Sequence, residues 1–393
     1  MASIKLKGDT SGEVTIQAPA VAGTTTLNLP ATSSTLATQN ALGVRNLIIN
    51  GDMRIAQRGT STSGITADSY YTVDRFYTGG SAAGTWTASQ DTDVPTGQGF
   101  ANSLKMQCTT ANTSLSTYSY LAVHQRMEGQ NLQHLKFGTS SAESLTVSFW
   151  VKSNKTGTYI IQFEDLDNNR ARASSYTINT ADTWEKKTLT FEGDTGGGFD
   201  DDQNASLDIY IWLVAGSGYQ SGTLPSTWKA QVSGDRAVGQ VNLADSTSNY
   251  INITGVQLEV GDTATPFEHR PYDMELARCQ RYFQKSWSQG TAVGTAISID
   301  DPNAVQQSWG SSNSGGIAGQ AFLLPIVMRA TPTLLTYDTN LNQGKVTILY
   351  AGANGDVNIS YNQISVNDRG FRVRMYANSA YGIVFAYTLT AEL

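Results

Sequence analysis

The chain has 393 residues with 26 Lys and Arg against 33 Asp and Glu, which gives a net charge of −7 and only 15% charged residues. Soluble domains carry roughly 25%, so the composition argues against disorder driven by charge. Without a basic cluster to neutralise phosphates, it also argues against nucleic acid as a partner. The length allows two or three domains.

The sequence shows no clear feature of export, membrane insertion or metal binding. Cys108 and Cys279 lie too far apart in sequence for metal-ligand spacing or a disulfide framework, so we expect reduced, half-buried thiols. Residues 1–7 lack the apolar stretch of a signal peptide, and no window approaches the roughly 18 apolar residues of a membrane span. We therefore expect a soluble product without Sec export or membrane insertion.

Residues 1–44 form a segment of their own, in which three short strands each offer two or three apolar side chains: Ile4 and Leu6, Val14 and Ile16, Leu27 and Leu29. So little apolar surface does not offset a backbone entropy cost of about 1–2 kcal/mol per residue. We expect the segment to order only against other copies of itself or a host structure. The alternative is a floppy tail.

Residues 45–270 alternate apolar and polar positions over many short runs, which predicts an antiparallel jelly-roll β-sandwich. Residues 145–151 and 158–163 are expected to form a hairpin. In residues 250–260 the apolar positions switch parity at Thr254 and Gly255, which predicts a β-bulge.

A connecting helix is predicted over residues 271–284, with Asp273 as N-cap and Leu276, Cys279 and Phe283 on one face. Residues 285–393 alternate again and are expected to form a smaller β-sandwich. The fold class is therefore mainly β.

Several motifs resemble bacteriophage tail fibres of the cyanophage and marine phage type. Residues 12–30 (GEVTIQAPAVAGTTTLNLP) resemble their N-terminal units. Residues 46–53 (NLIINGDM) and 253–261 (ITGVQLEVG) are similar to the first and last strands of jelly-roll carbohydrate-binding modules. Three further motifs resemble the segment after that module and the opening of the distal domain: 266–268 (PFE), 275–283 (ELARCQRYF) and 325–333 (PIVMRATPT).

The resemblance implies a homotrimeric virion fibre, assembled in the host cytoplasm, with residues 1–44 bound to virion tail or baseplate proteins and the distal domain directed at the host. Modules of this type usually hold a structural calcium near the first strand. Asp52 is a single carboxylate there without identifiable partners, so we assign no metal and no cofactor.

Sugar binding needs aromatic rings for the apolar faces of pyranoses and polar groups for hydroxyls. Asp208, Tyr210 and Trp212 share one side of a predicted strand, Trp150 has the same parity on another, and Trp228 lies in a loop that could rim them. If the two strands share a sheet, these residues line one glycan-binding surface. Alternatively, the rings pack under a loop or at a subunit contact, or the C-terminal domain contacts the receptor through Trp309, Tyr376 and Tyr381.

No catalytic residue is assigned. Residues 192–202 read as a flexible acidic loop rather than a pair of catalytic carboxylates, and residues 165–169 read as a hairpin turn rather than a calcium loop. His124 and His134 lack the spacing of a zinc pair. We expect a non-enzymatic tail fibre protein that adsorbs to host surface glycan. The alternatives are a tailspike-like depolymerase and a structural virion or baseplate connector.

Light scattering on the purified chain tests the trimer. We expect a particle of about three times the 42.2 kDa chain mass, because the thin N-terminal strands need neighbours. A monomer of the full chain would contradict the fibre interpretation.

Overall fold

The structure is a computed structural model that describes residues 3–7, 11–17, 45–308, 317–318, 321–350, 353–357, 363–376 and 380–393. The chain divides into two compact units, Met1–Gly43 and Val44–Leu393. In the first unit, β1 (Ser3–Lys7) pairs antiparallel with β2 (Glu13–Gln17), with Ile4 opposite Ile16. The third predicted strand, at Leu27 and Leu29, lies outside the described residues.

The second unit begins with the predicted sandwich. Its strands are β3 (Ser61–Ile65), β4 (Ser69–Tyr70), β5 (Tyr77–Ser81), β6 (Thr85–Asp91), β7 (Ser103–Thr110), β8 (Tyr120–Glu128), β9 (Leu145–Ser153), β10 (Gly157–Asp165), β11 (Arg170–Ile178), β12 (Glu185–Phe191), β13 (Ala205–Ala215), β14 (Lys229–Ala230) and β15 (Tyr250–Val260). Short 3-10 turns lie at Gly129–Asn131, Gln133–Leu135, Ser217–Tyr219, Ser233–Asp235 and Leu243–Asp245.

Within residues 45–270, all of which are described, the strands form two antiparallel sheets. The seven-stranded sheet has the order β14-β11-β10-β13-β8-β5-β4, and the six-stranded sheet has the order β12-β9-β15-β7-β6-β3. The alternate apolar side chains of both sheets face each other and form the main core, for example Phe149, Phe163 and Leu258. The predicted sandwich of jelly-roll type is therefore confirmed.

The predicted hairpin between β9 and β10 is wrong. β9 pairs with β12 and β15 in one sheet, whereas β10 pairs with β11 and β13 in the other. The turn at residues 154–156 therefore crosses the sandwich, and the Tyr159 hydroxyl donates to the Lys155 carbonyl at 2.8 Å to hold it. Crossing lets Phe149 and Ile161 bury their side chains between the sheets.

Two other local predictions are confirmed. The β15–β9 register shifts between Thr254 and Gln257, and Gly255 has φ 62°, so the bulge keeps apolar side chains of both parities buried. A Cβ on Gly255 would also meet the Phe100 ring at 2.6 Å. Asp165 is the register partner of Arg170 at the end of β10 and β11, so residues 165–169 form the predicted hairpin turn.

The connecting helix α1 (Tyr272–Gln280) is shorter than predicted. Pro271 occupies the N-cap position and Asp273 lies in the first turn, so the assignment of Asp273 as N-cap is wrong. Phe283 does not extend the helix face either, because it starts β16 (Phe283–Lys285), which pairs with the last strand of the chain.

The remaining strands build two further antiparallel sheets in the described residues. They are β17 (Val305–Ser308), β18 (Ile317–Ala318), β19 (Ala321–Leu323), β20 (Thr333–Tyr337), β21 (Val346–Tyr350), β22 (Ala353–Val357), β23 (Gln363–Asn367), β24 (Gly370–Tyr376) and β25 (Ala380–Thr390). β25 pairs with β16, β17, β20 and β21, while β24 pairs with β18, β19 and β23. Their shared core includes Ile348, Phe371 and Phe385, as expected for a smaller β-sandwich.

The end of the chain is bound to the first sandwich by buried charges. Glu392 accepts hydrogen bonds from Arg75 and, at 2.9 Å, from Arg58. The Arg75 side chain is fully buried, with its guanidinium carbon 3.5 Å from the centroid of the Tyr282 ring. Arg75 thus holds the segment after β25 against the loop between β4 and β5, and Arg58 holds it against the segment before β3.

Both cysteines are unpaired and 1% exposed, so they are more buried than predicted. Burial raises the pKa of each thiol, which keeps both groups protonated near neutral pH. Among the described residues, no helix has the length and apolar character to cross a membrane.

Substituting Glu392→Gln tests the junction. We expect the free energy of unfolding to fall by about 3–5 kcal/mol, because Arg75 would keep its buried charge without an anion. Urea denaturation checks this, with Glu143→Gln as control, since the Lys136–Glu143 pair is exposed and such pairs contribute about 0–1 kcal/mol. Equal losses in both variants would contradict the junction's role.

Candidate functional site

A row of aromatic side chains crosses the outer face of the seven-stranded sheet. Tyr210 on β13 is the register partner of His124 on β8, which is opposite Tyr77 on β5, and Tyr77 is opposite Tyr70 on β4. These positions alternate with buried core residues such as Ile211, so their side chains point away from the core. We call these four residues the aromatic row.

The rings of the aromatic row touch in sequence. His124 and Tyr210 stack with centroids 4.4 Å apart and planes 9° from parallel. Tyr77 meets His124 edge-on at 4.7 Å, and Tyr70 meets Tyr77 edge-on at 4.9 Å. Tyr77 and Tyr210 are half-buried, so part of each residue remains accessible to solvent.

Asp208 fixes the position of the row. Its carboxylate is fully buried and lies 2.9 Å from His124 Nδ1 and 3.0 Å from Arg126 Nε. Burial raises the pKa of Asp208, but the opposing effects of His124 and Arg126 outweigh it and hold the pKa below its ordinary value of 3.8. The ionised carboxylate therefore orients the imidazole that stacks on Tyr210.

The row keeps hydroxyl groups for a ligand. Burial, followed by the Asp208 charge, raises the pKa of Tyr210, so its hydroxyl remains a hydrogen-bond donor at neutral pH. Burial, followed by the Asp68 charge, also raises the pKa of Tyr77. Neither hydroxyl donates to another described residue, whereas the Tyr120 hydroxyl donates to Asp68 at 3.1 Å.

Trp212 is next to the row but is not available to a ligand. It is 1% exposed, and its indole nitrogen donates to Gln162 Oε1 at 3.0 Å. The Tyr219 ring lies 5.3 Å from it, and the Arg236 guanidinium lies 5.3 Å above its centroid. Trp212 therefore packs under a loop, as in the alternative interpretation. Its assignment as a glycan contact is corrected. Asp208 is equally inaccessible and supports the row from below.

Trp150 and Trp228 lie elsewhere. β9 belongs to the six-stranded sheet, so Trp150 is half-buried on the opposite side of the sandwich and shares no surface with Tyr210. Trp228 is 8% exposed and packs edge-on against Phe137 in the main core, where its indole nitrogen donates to the Glu192 carbonyl. This burial corrects the expectation that Trp228 rims the face.

Of the predicted candidates, the structure thus brings Asp208, Tyr210 and Trp212 together. Sequence reasoning missed Tyr70, Tyr77 and His124. The alternation in β8, where Tyr120, Ala122, His124 and Arg126 share one parity, would have placed His124 on the outer face. The C-terminal alternative remains open: Tyr376 and Tyr381 lie on β24 and β25, and Trp309 lies outside the described residues.

In the described ranges, no group of three or more His, Cys, Asp or Glu side chains could hold an ion. Asp52, the residue considered for a calcium site, instead pairs with Arg54 at 3.0 Å.

Comparisons with known proteins give distant likenesses. No family model and no curated protein matches the chain. One similar solved structure is the enzymatically active domain of bacteriophage CBA120 tailspike protein 4, with 14% identity, 55% of this chain covered and a TM-score of 0.29. The match spans about a fifth (21%) of that tailspike chain.

Two other similar structures concern sugars. TmCBM61 in complex with β-1,4-galactotriose is 10% identical, with 55% of this chain and 99% of that chain covered and a TM-score of 0.28. A putative sugar-binding protein from Bacteroides thetaiotaomicron is 13% identical, with 55% and 100% covered and a TM-score of 0.29. These likenesses are too distant to assign a family or a ligand to this chain.

Substituting Asp208→Asn tests the support beneath the row. Because the folded pKa lies below 3.8, the carboxylate stabilises the protein above that pH and loses its effect as pH falls through the folded value. We expect a loss of about 3 kcal/mol at pH 7 that shrinks below about pH 4. Denaturant titrations at several pH values check this, with exposed Asp201→Asn as control. A loss independent of pH would contradict the ion-pair role.

Proposed function

We propose that this protein is a phage tail fibre that binds a host surface glycan, without cleaving it, at the aromatic row. The observation that carries the proposal is the pair of half-buried tyrosines, Tyr77 and Tyr210, held on either side of His124 with free hydroxyls. The Tyr210 ring already stacks on His124 and has the Arg236 guanidinium 5.0 Å from its centroid. In this proposal the parts of the two tyrosine rings that remain exposed contact the apolar side of a pyranose, and the hydroxyls bond its oxygens.

The rim of the face adds a further ring. Tyr118 is 61% exposed and meets Tyr219 edge-on at 5.7 Å, beside the residues that cover Trp212. The Tyr219 ring also meets Tyr120 edge-on at 5.9 Å, so further aromatic side chains lie beyond the aromatic row, which supports a surface that contacts more than one sugar unit. Rigid aromatic side chains lose little conformational entropy on binding, which suits a preformed site.

The charges of the face support binding without hydrolysis. Glycoside hydrolysis needs a protonated acid and a second carboxylate on either side of the scissile bond. Asp208 and Glu164 are register partners on β13 and β10, but cations hold both: Arg126 binds Asp208, and Arg236 binds Glu164 at 2.9 Å. Both acids therefore serve to position side chains in this proposal.

Adsorption by a trimer follows from the sequence motifs. In this proposal residues 1–44 attach to tail or baseplate proteins, and three copies present three aromatic rows to the cell surface. Linked sites raise overall avidity by about 10²–10⁴ over a single site, so each row needs only weak affinity.

Substituting Tyr210→Ala tests the proposal. We expect a loss of affinity of about 5- to 150-fold, because the ring contact and the hydroxyl bond each contribute roughly 0.5–1.5 kcal/mol. The measurement is binding of the purified full chain to an array of bacterial capsular and O-antigen polysaccharides. Tyr210→Phe, which keeps the ring, should lose less than Tyr210→Ala.

Trp150→Ala is the matched control, because it removes a half-exposed ring from the opposite sheet. Full binding by Tyr210→Ala together with loss by Trp150→Ala would move the site to the six-stranded sheet. A steady release of reducing ends from a bound polysaccharide would instead favour the depolymerase, and absence of any array binding would favour the connector.

A further inference from the structure

A cleft of about 450 Å³ lies between the C-terminal end of β8 and helix α1. Its size falls within the roughly 300–1,000 Å³ of small-molecule sites. Its polar lining includes Arg126, Glu128, His134, Arg278, Arg281 and Tyr282. Leu47, which is half-buried, adds apolar surface to the same wall.

Most charges in the cleft neutralise one another. Arg281 donates two hydrogen bonds to the Glu128 carboxylate, from Nε at 2.9 Å and from Nη2 at 2.7 Å. The Tyr282 hydroxyl donates to the same carboxylate. Arg126 is bound to Asp208. Burial lowers the pKa of His134, so the imidazole adds no charge at neutral pH.

Arg278 is the exception. Its side chain is partly buried in the cleft wall, yet it has no hydrogen bond or ion pair with any described residue. The nearby acids Glu275 and Glu268 are both bound to Arg270, at 3.2 and 3.3 Å. Burial, followed by repulsion from Arg270, lowers the pKa of Arg278, as expected for a partly desolvated cation that lacks an anion. The cleft therefore has one surplus positive charge.

We propose that this cleft binds a uronic acid residue, with the sugar carboxylate at Arg278. A guanidinium matches a carboxylate in a two-point hydrogen-bonded pair, and one surplus charge matches a monoanion better than a phosphate dianion. The apolar wall beside Tyr282 suits the sugar ring. The assignment to an extended glycan rests on the proposed function, and it makes that glycan acidic.

Arg126 connects the cleft to the aromatic row. Its backbone is on β8, two residues after His124, and its guanidinium carbon lies 5.5 Å from the centroid of the Tyr77 ring while the side chain lines the cleft. A chain that stacks on Tyr77 can therefore continue past Arg126 and place its next acidic unit in the cleft.

Calorimetric titration of the full chain with glucuronate, glucose and inorganic phosphate tests the cleft directly. We expect glucuronate to bind with a Kd on the order of 1 mM and glucose to bind at least about tenfold more weakly. Arg278→Gln should lose at least about tenfold for glucuronate, and Arg278→Lys should recover part of the loss by restoring the charge. Exposed Arg369→Gln removes the same charge elsewhere and should bind like the wild type.

Each outcome supports or overturns the inference. Equal binding of glucose and glucuronate, or of glucuronate to wild type and Arg278→Gln, would overturn it, as would phosphate binding more tightly than glucuronate. On the polysaccharide array, Arg278→Gln should weaken binding to acidic polysaccharides alone, whereas Tyr210→Ala should weaken binding to both neutral and acidic polysaccharides. If Tyr210→Ala did not weaken binding to any polysaccharide, the proposed function would be overturned. Binding of free glucuronate would still test the cleft independently.

Discussion

One fully buried carboxylate, Asp208, organises the outer face of the seven-stranded sheet. Removing a carboxylate from water is costly, and here His124 and Arg126 offset the cost from two sides. The imidazole is thereby held flat against Tyr210, and the guanidinium is held between the row and the cleft. A neutral residue at position 208 would leave both partners free to change rotamer, so the aromatic geometry depends on a charge that no ligand touches.

The end of the chain adds a second constraint on the same residues. The Leu393 carbonyl accepts hydrogen bonds from Arg126 at 3.0 Å and from the Tyr70 hydroxyl at 3.2 Å. Glu392, the residue before Leu393, forms a buried ion pair with Arg75. The segment after β25 thus reaches the aromatic row from outside the first sandwich. Stability of the smaller β-domain and order of the row are consequently linked through these hydrogen bonds and ion pairs and through a small apolar cluster that joins Ile49 and Ile55 to Leu393.

Period-two alternation predicted the strands, the sandwich and the bulge at Gly255, because each of these follows from which side chains share a face. It failed at the β9–β10 turn, since a hairpin and a crossing between sheets bury the same alternate residues. It failed for Trp212, because alternation does not say whether a loop covers an outer face. Trp228 precedes β14 and packs in the main core, so no alternation pattern indicated its burial. Tyr70, Tyr77 and His124 come from three strands, and only the register that pairs them makes a row.

The charge distribution of this acidic protein is compatible with the proposed binding of an acidic glycan. The net charge of −7 repels a polyanion at long range, but at physiological salt that repulsion decays over about 8 Å. Inside the cleft the Glu128 and Asp208 carboxylates already have guanidinium partners, so the local field is set by Arg278. The net repulsion then slows encounter, while the unpaired guanidinium acts only after contact. Such an arrangement favours selection among bound glycans over electrostatic capture at a distance.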